Sequence, residues 1–127
     1  MEASGYRYPA DDGSVDFVLA KSVFTHLLER EARHYLGEIG RVLRTGRAAV
    51  VTAFLLDDDG AASGEFSHGG PDVWHSVKER PEAQLAYRRS RFVEMVEAAN
   101  LRVEKIIDGH WRGRRIAPTF QDIVVLR

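Results

Sequence analysis

The chain has 127 residues, 44% of them hydrophobic and 29% charged, enough apolar material for one compact core and far from the composition of disordered chains. Its 18 Lys and Arg against 19 Asp and Glu leave a net charge of -1, which excludes a general electrostatic nucleic-acid binder, because that role needs a basic surplus or a long basic stripe. The absence of cysteine excludes disulfides, thiolate catalysis and every cysteine-ligated zinc or iron–sulfur site.

The longest apolar stretch, Ala48 to Leu56, is less than half of a membrane span. The opening MEASGYRYPADDG has no charged-then-apolar leader pattern. The expectation is a single cytoplasmic domain over residues 1–127, with no membrane and no nucleic acid as partner.

Asp12-Gly13-Ser14 is a turn signal, and VDFVLA from Val15 to Ala20 reads as a short strand. From Leu28 the apolar residues Leu28, Ala32, Tyr35, Leu36, Ile39, Val42 and Leu43 form one helical stripe. Gly46 sits where a left-handed C-terminal cap belongs, and the unbroken run from Ala48 predicts a strand buried on both faces, parallel to the first and covered by helices on both sides. Strand, helix, strand is a βαβ unit.

Residues 57–81 break this order. They are rich in Asp, Gly, Ser and Pro and too long for a passive connector, so they read as a lid or recognition loop with one helical turn near Trp74 to Glu79. Ser90 is the expected N-cap of a second helix reaching Ala99, with Phe92, Val93, Val96 and Ala99 inward and Asn100 as its left-handed stop. Strands from Leu101 to Ile107 and from Gln121 are too close for a helical crossover and should pair antiparallel.

In open α/β sheets ligands bind beyond the carboxyl ends of parallel strands. Those ends carry Lys21, Ser22, Thr25 and His26 after the first strand and Asp57, Asp58 and Asp59 after the second. His26 is the candidate general base, since a neutral imidazole accepts a proton from an attacking oxygen or nitrogen. Three adjacent carboxylates on an extended segment point in alternating directions and do not converge on a cation. His68 and His75 have no third ligand at a suitable spacing, so no metal is assigned. Trp74, Tyr87, His110 and Trp111 could wall an acceptor, and Arg112, Arg114 and Arg115 read as a charged, solvated turn.

The succession DGSVDFVLAKSVFTHL, HYLGEIGRVLRTG, VVTAFLL and late QDIVVLR resembles the carboxyl half of a class I S-adenosylmethionine-dependent methyltransferase of the type 11/12-like kind, from about Tyr8 onward. The resemblance implies a three-layer α/β/α, Rossmann-like fold with a reversed terminal strand, VDFVLAKS being the fourth strand, AAVVTAFLL the fifth and the closing pair the sixth and seventh. It implies S-adenosylmethionine as cofactor and a small-molecule acceptor, with the segment carrying Lys21, Ser22, Phe24 and Thr25 beside them, Lys21 and Ser22 toward the cofactor and Phe24 and Thr25 toward the acceptor, which the aromatic wall of Trp74, Tyr87 and Trp111 would face. In that family a glycine-rich loop and an acidic strand end hold the cofactor. Here no G-x-G occurs, and Arg47 stands where a second glycine is more usual. Weak cofactor binding by this chain alone is therefore expected, and a non-catalytic module or one piece of a split enzyme are the alternatives. With no first strand beside it, Val15 to Ala20 becomes a sheet edge unprotected by lysine or proline until Lys21, which predicts a homodimer.

Overall fold

The computed structural model describes residues 7–57, 66–112 and 119–127. Asp58, Asp59, Arg114, Arg115 and the side chain of Arg112 lie outside the described residues. The main sheet holds β1 (Val15–Ala20), β2 (Leu43–Ala53), β8 (Asp122–Leu126) and β7 (Val103–Ile107), in the order β1-β2-β8-β7. β1 and β2 run parallel, while β8 is antiparallel to both of its neighbours. That is the βαβ unit followed by the antiparallel closing pair. The helices are α1 (Glu29–Val42) and α2 (Arg89–Ala98).

Alternation along the strands shows how the layers form, because successive side chains point to opposite faces. Ala49, Val51, Ala53, Val124 and Leu126 are fully buried against Ala32, Leu36 and Ile39 of α1 and Phe92, Met95 and Val96 of α2. Both helices thus cover one face. The other face carries Phe17 and Leu19, 54% and 61% exposed, with Val50, Ile123 and Val125 half-buried. The expected covering of the second strand on both sides is corrected here: the described residues supply the sheet and one helical layer, and no described helix lies on the Phe17 face.

Local signals were displaced rather than absent. Gly46 is left-handed at φ 81° but does not cap α1, which passes straight into β2 at Leu43, whose N–H bonds the Ile39 carbonyl. Instead the β1 register jumps from Val15↔Leu43 to Phe17↔Ala48, and Gly46 turns the resulting bulge, a conformation glycine adopts at no steric cost. Ser90 lies inside α2; the N-cap position belongs to Arg88, with no side-chain cap bond. Asn100 is left-handed at φ 61°, as expected of the helix stop.

Trp74 to Glu79 contains no helical turn. Trp74 lies in β5 (Val73–His75), which pairs antiparallel with β4 (His68–Gly69) and with β6 (Leu85–Arg88). β6 in turn pairs parallel with β3 (Leu55–Leu56), so the continuation of β2 beyond Phe54 feeds a second, small sheet. Asp72 pairs with Arg88 at the end of β6 and with Arg91 of α2, 2.5 Å away, which ties this sheet to α2. Those two guanidiniums, Arg91 first, hold the Asp72 carboxyl below its ordinary value. No described helix is long and apolar enough to cross a membrane.

The amino-terminal segment is strapped to α1. Glu38 accepts the Tyr8 N–H at 2.8 Å and Arg41 Nε–H at 2.9 Å, while Arg41 also donates to the Tyr8 and Ala10 carbonyls. The Arg41 bond above all, with the Tyr8 amide, lowers the Glu38 carboxyl from 4.5 to about 2. A carboxyl lowered on folding contributes stability that is full above its unfolded value and lost as pH falls through the folded one. Acid titration should therefore release residues 7–13 between about pH 4.5 and 2, seen as a falling thermal midpoint that Glu38→Gln makes flatter. An equally steep fall in the Glu38→Gln variant would assign the acid loss to other carboxylates.

Candidate functional site

The carboxyl end of β1 is a knot of polar bonds. Ser22 is left-handed at φ 58°, a conformation that costs a non-glycine residue on the order of 1–3 kcal/mol and persists only where surroundings impose it. The imposing contacts come from three segments. Ser22 N–H donates to Thr52 Oγ1 of β2 at 2.8 Å, Gln121 Nε2 donates to Ser22 Oγ at 2.9 Å, and Thr25 Oγ1 donates to the Ser22 carbonyl at 3.2 Å. Gln121 Oε1 is buried without a hydrogen-bond partner among the described residues. It is the open acceptor of this end of the sheet.

Lys21 and Gln121 line a groove of about 540 Å³ with Leu19, Thr52, His110 and Phe120. Phe120 is 47% exposed and meets the His110 ring edge-on at 5.3 Å. Neither Phe120 nor Gln121 was singled out as a site residue from sequence. The signal for them lies only in the antiparallel closure, which carries the start of β8 back to the carboxyl end of β1.

His26 ends a short 3-10 turn, Phe24–His26, and is exposed. Its Nδ1 faces the Glu82 carbonyl at 3.3 Å. A carbonyl only accepts, so Nδ1–H is the donor in this contact, and in the neutral ring that makes Nε2 the acceptor nitrogen. Lys21, Ser22 and His26 are brought to the same strand end.

The remaining expected contacts are not. Phe24 is fully buried, edge-on to Phe92 at 5.7 Å, and Thr25 is buried as well. Tyr87 is wholly inside the main core, its hydroxyl donating to the Leu27 carbonyl. Burial pushes that hydroxyl well above its ordinary range. Trp74 belongs instead to a second cluster with Phe54, Leu56, Phe66 and Ala86, against which Trp111 packs. So Trp74, Tyr87 and Trp111 do not form one acceptor wall: packing uses their rings, and Trp111 Nε1–H is spent on Asp122 at 3.0 Å. His68 and His75 are register partners with stacked rings 5.7 Å apart. Among the described residues no three His, Asp or Glu side chains are grouped as a metal site requires.

These residues form one polar rim at the carboxyl end of β1. The orphan Gln121 oxygen fits a ligand hydroxyl or amine donor, and among the described residues no glycine-rich turn lies beside it to let a backbone approach S-adenosylmethionine. The described chain does not fit the whole cofactor by itself.

Comparison with known proteins agrees with this partial frame. A family described as a methyltransferase domain matches residues 1–51. The structure of the mitomycin 7-O-methyltransferase MmcR superposes with a TM-score of 0.67 at 19% identity, over 100% of this chain and 32% of that one. LepI in complex with S-adenosylmethionine gives a TM-score of 0.66 at 12% identity, over 99% and 28%. A methyltransferase from Methanosarcina mazei gives 0.64 at 15%, over 99% and 63%. The fold is therefore α/β, Rossmann-like, and that of a class I methyltransferase in part. This chain spans between about a quarter and two thirds of the length of those structures.

Proposed function

We propose that the chain is the acceptor-side half of an S-adenosylmethionine-dependent methyltransferase unit for a small-molecule acceptor, and that the cofactor-holding half is supplied alongside β1, on whichever polypeptide carries it. The strand order carries this reading: in β1-β2-β8-β7 only β8 runs against the others, and among the described residues the sheet ends at β1 with no strand on its outer side. In the fold it resembles, the first strand and its cofactor loop lie beside that edge. Lys21 and Ser22 then flank the cofactor, and His26 Nε2 takes the proton from the acceptor's hydroxyl or amine.

Calorimetric titration of the chain alone with S-adenosylmethionine and S-adenosylhomocysteine tests this division of labour. The expected result is no saturable heat at micromolar ligand. Saturable micromolar binding would overturn it, because these residues would then hold the cofactor unaided.

A specific feature favours a second reading for the chain in isolation, a homodimeric binding module. Phe17 and Leu19 stand 54% and 61% exposed on β1, an edge strand among the described residues, and past the bulge and charge at Asp16 the stretch Phe17 to Ala20 carries no charge or proline to keep another copy from pairing with it. A symmetric dimer burying Val15–Ala20 closes the edge. Light scattering should give twice the chain mass at tens of micromolar, and Leu19→Lys should return it to a monomer. A monomer at that concentration without substitution contradicts the dimer.

A further inference from the structure

At the opposite end of the sheet from Ser22, four arginines surround one hollow. Arg44 and Arg47 come from the β2 bulge, Arg102 from the loop between α2 and β7, and Arg127 follows β8; the hollow measures about 690 Å³, within the range of small-molecule sites. We propose that it binds a small polyanion of the oligophosphate class. This assignment is independent of the methyltransferase reading, since the hollow lies away from both Lys21 and His26.

Charge is the first argument. Arg44 pairs with Asp16, Arg47 lies 3.7 Å from the same carboxylate, and Arg127 pairs with Glu104 at 2.8 Å. The Arg102 side chain is exposed and has no ion pair or hydrogen bond among the described residues. Counting side chains, four guanidiniums stand against two carboxylates at one mouth, where the Arg127 main-chain oxygen accepts the Arg102 N–H at 2.9 Å, so the mouth is positive in a chain whose net charge is -1. Arginine rather than lysine suits phosphate, because its planar fork donates two parallel hydrogen bonds.

The second argument is that these arginines are not consumed by the ordinary work of helix ends. Carbonyls at the ends of both helices are met by backbone: Leu43 N–H bonds Ile39, Asn100 N–H bonds Glu97 and Leu101 N–H bonds Val96. Instead Arg127 Nη1 donates to the Gly46 carbonyl at 2.7 Å, which fixes the bulge that carries Arg44 and Arg47. Residues 44–47 have no register partner on β1 or β8. The sequence position that departs from paired glycines, Arg47, thus becomes part of a built basic hollow. Its concave form favours a compact ligand over an extended strand of nucleic acid.

Titration calorimetry with sodium tripolyphosphate at low salt tests the site. We expect one saturable site with a dissociation constant in the micromolar to submillimolar range, weakened by added salt. Arg47→Ala with Arg102→Ala should lower affinity about tenfold or more, as loss of charge-assisted bonds implies, while Lys78→Ala, on an exposed turn, leaves it unchanged. Unaltered thermal midpoints keep a folding defect apart from a binding defect. Absence of saturable heat, or equal affinity in the double variant, would overturn the proposal. So would tighter binding of a short poly(U) or oligoglutamate at the same arginines, which would make the hollow a macromolecular contact.

Discussion

Asp122→Ala should destabilise the chain by about 3 kcal/mol or more and lower the thermal midpoint by about 10 °C. The side chain is fully buried at the start of β8. One oxygen accepts the Leu55 N–H at 2.8 Å and the Trp111 indole N–H at 3.0 Å; the other accepts the Gly109 N–H at 2.7 Å. Each bond joins a different segment, so this one carboxylate holds the point where β2 gives way to the small sheet and where β7 returns toward β8. Alanine strands two buried backbone donors, each costing about 1–3 kcal/mol when unpaired. Asparagine should lie between, since its oxygen keeps one side satisfied while its amide faces a donor on the other. Gly109 is held to the same design: a Cβ there would meet the Phe120 carbonyl at 2.3 Å, so Gly109→Ala must also displace the segment. Denaturant unfolding that places Asp122→Ala within about 1 kcal/mol of the parent chain would contradict this account of the junction.

If the chain, alone or reconstituted with a cofactor-holding half, transfers methyl groups as proposed, His26→Ala should lower kcat about 10²- to 10⁴-fold, the usual cost of removing a general base, with KM for the acceptor little changed. The ring is exposed and holds one contact at the Glu82 carbonyl, so the stability cost should stay near that of one hydrogen bond, about 1 kcal/mol. The split between kcat and stability decides the role. If turnover is unchanged while the midpoint falls, His26 is a latch between the 3-10 turn and the Pro81–Ala83 turn, not a base.

Periodicity made the main sheet legible. Val15–Ala20 reads as a strand from its β-branched and aromatic run, and α1 from its unbroken stripe through Ala32, Leu36 and Ile39. The small sheet left no such signal, because β3, β4 and β5 contain two, two and three residues, too few for alternation to emerge. Gly46 and Ser90 mislead for one reason: a left-handed glycine and a small hydroxyl residue near a helix end are local signals, and the register bulge and the β6–α2 junction are set by tertiary packing. Strand-end position singled out Lys21, Ser22 and His26 from sequence, and the fold brings all three to the carboxyl end of β1. Aromatic side chains carry no mark that separates wall from core, so Tyr87 and Trp74 read as site residues though packing claims both. Gln121 needed the sheet order, which joins residues 99 positions apart through one hydrogen bond.

Among the described residues the sheet is open at β1, as the proposed half of a class I sheet requires. Amide hydrogen exchange on the chain, diluted until it is monomeric, reads that edge directly. The β1 amides pointing away from β2 should exchange on the order of 100-fold faster or more than those of the central β2 strand, Ala49 to Ala53, and should gain protection when the edge is covered. Equal protection of Val15–Ala20 and β2 in the monomer would contradict the account, because the edge would then already be closed within one chain.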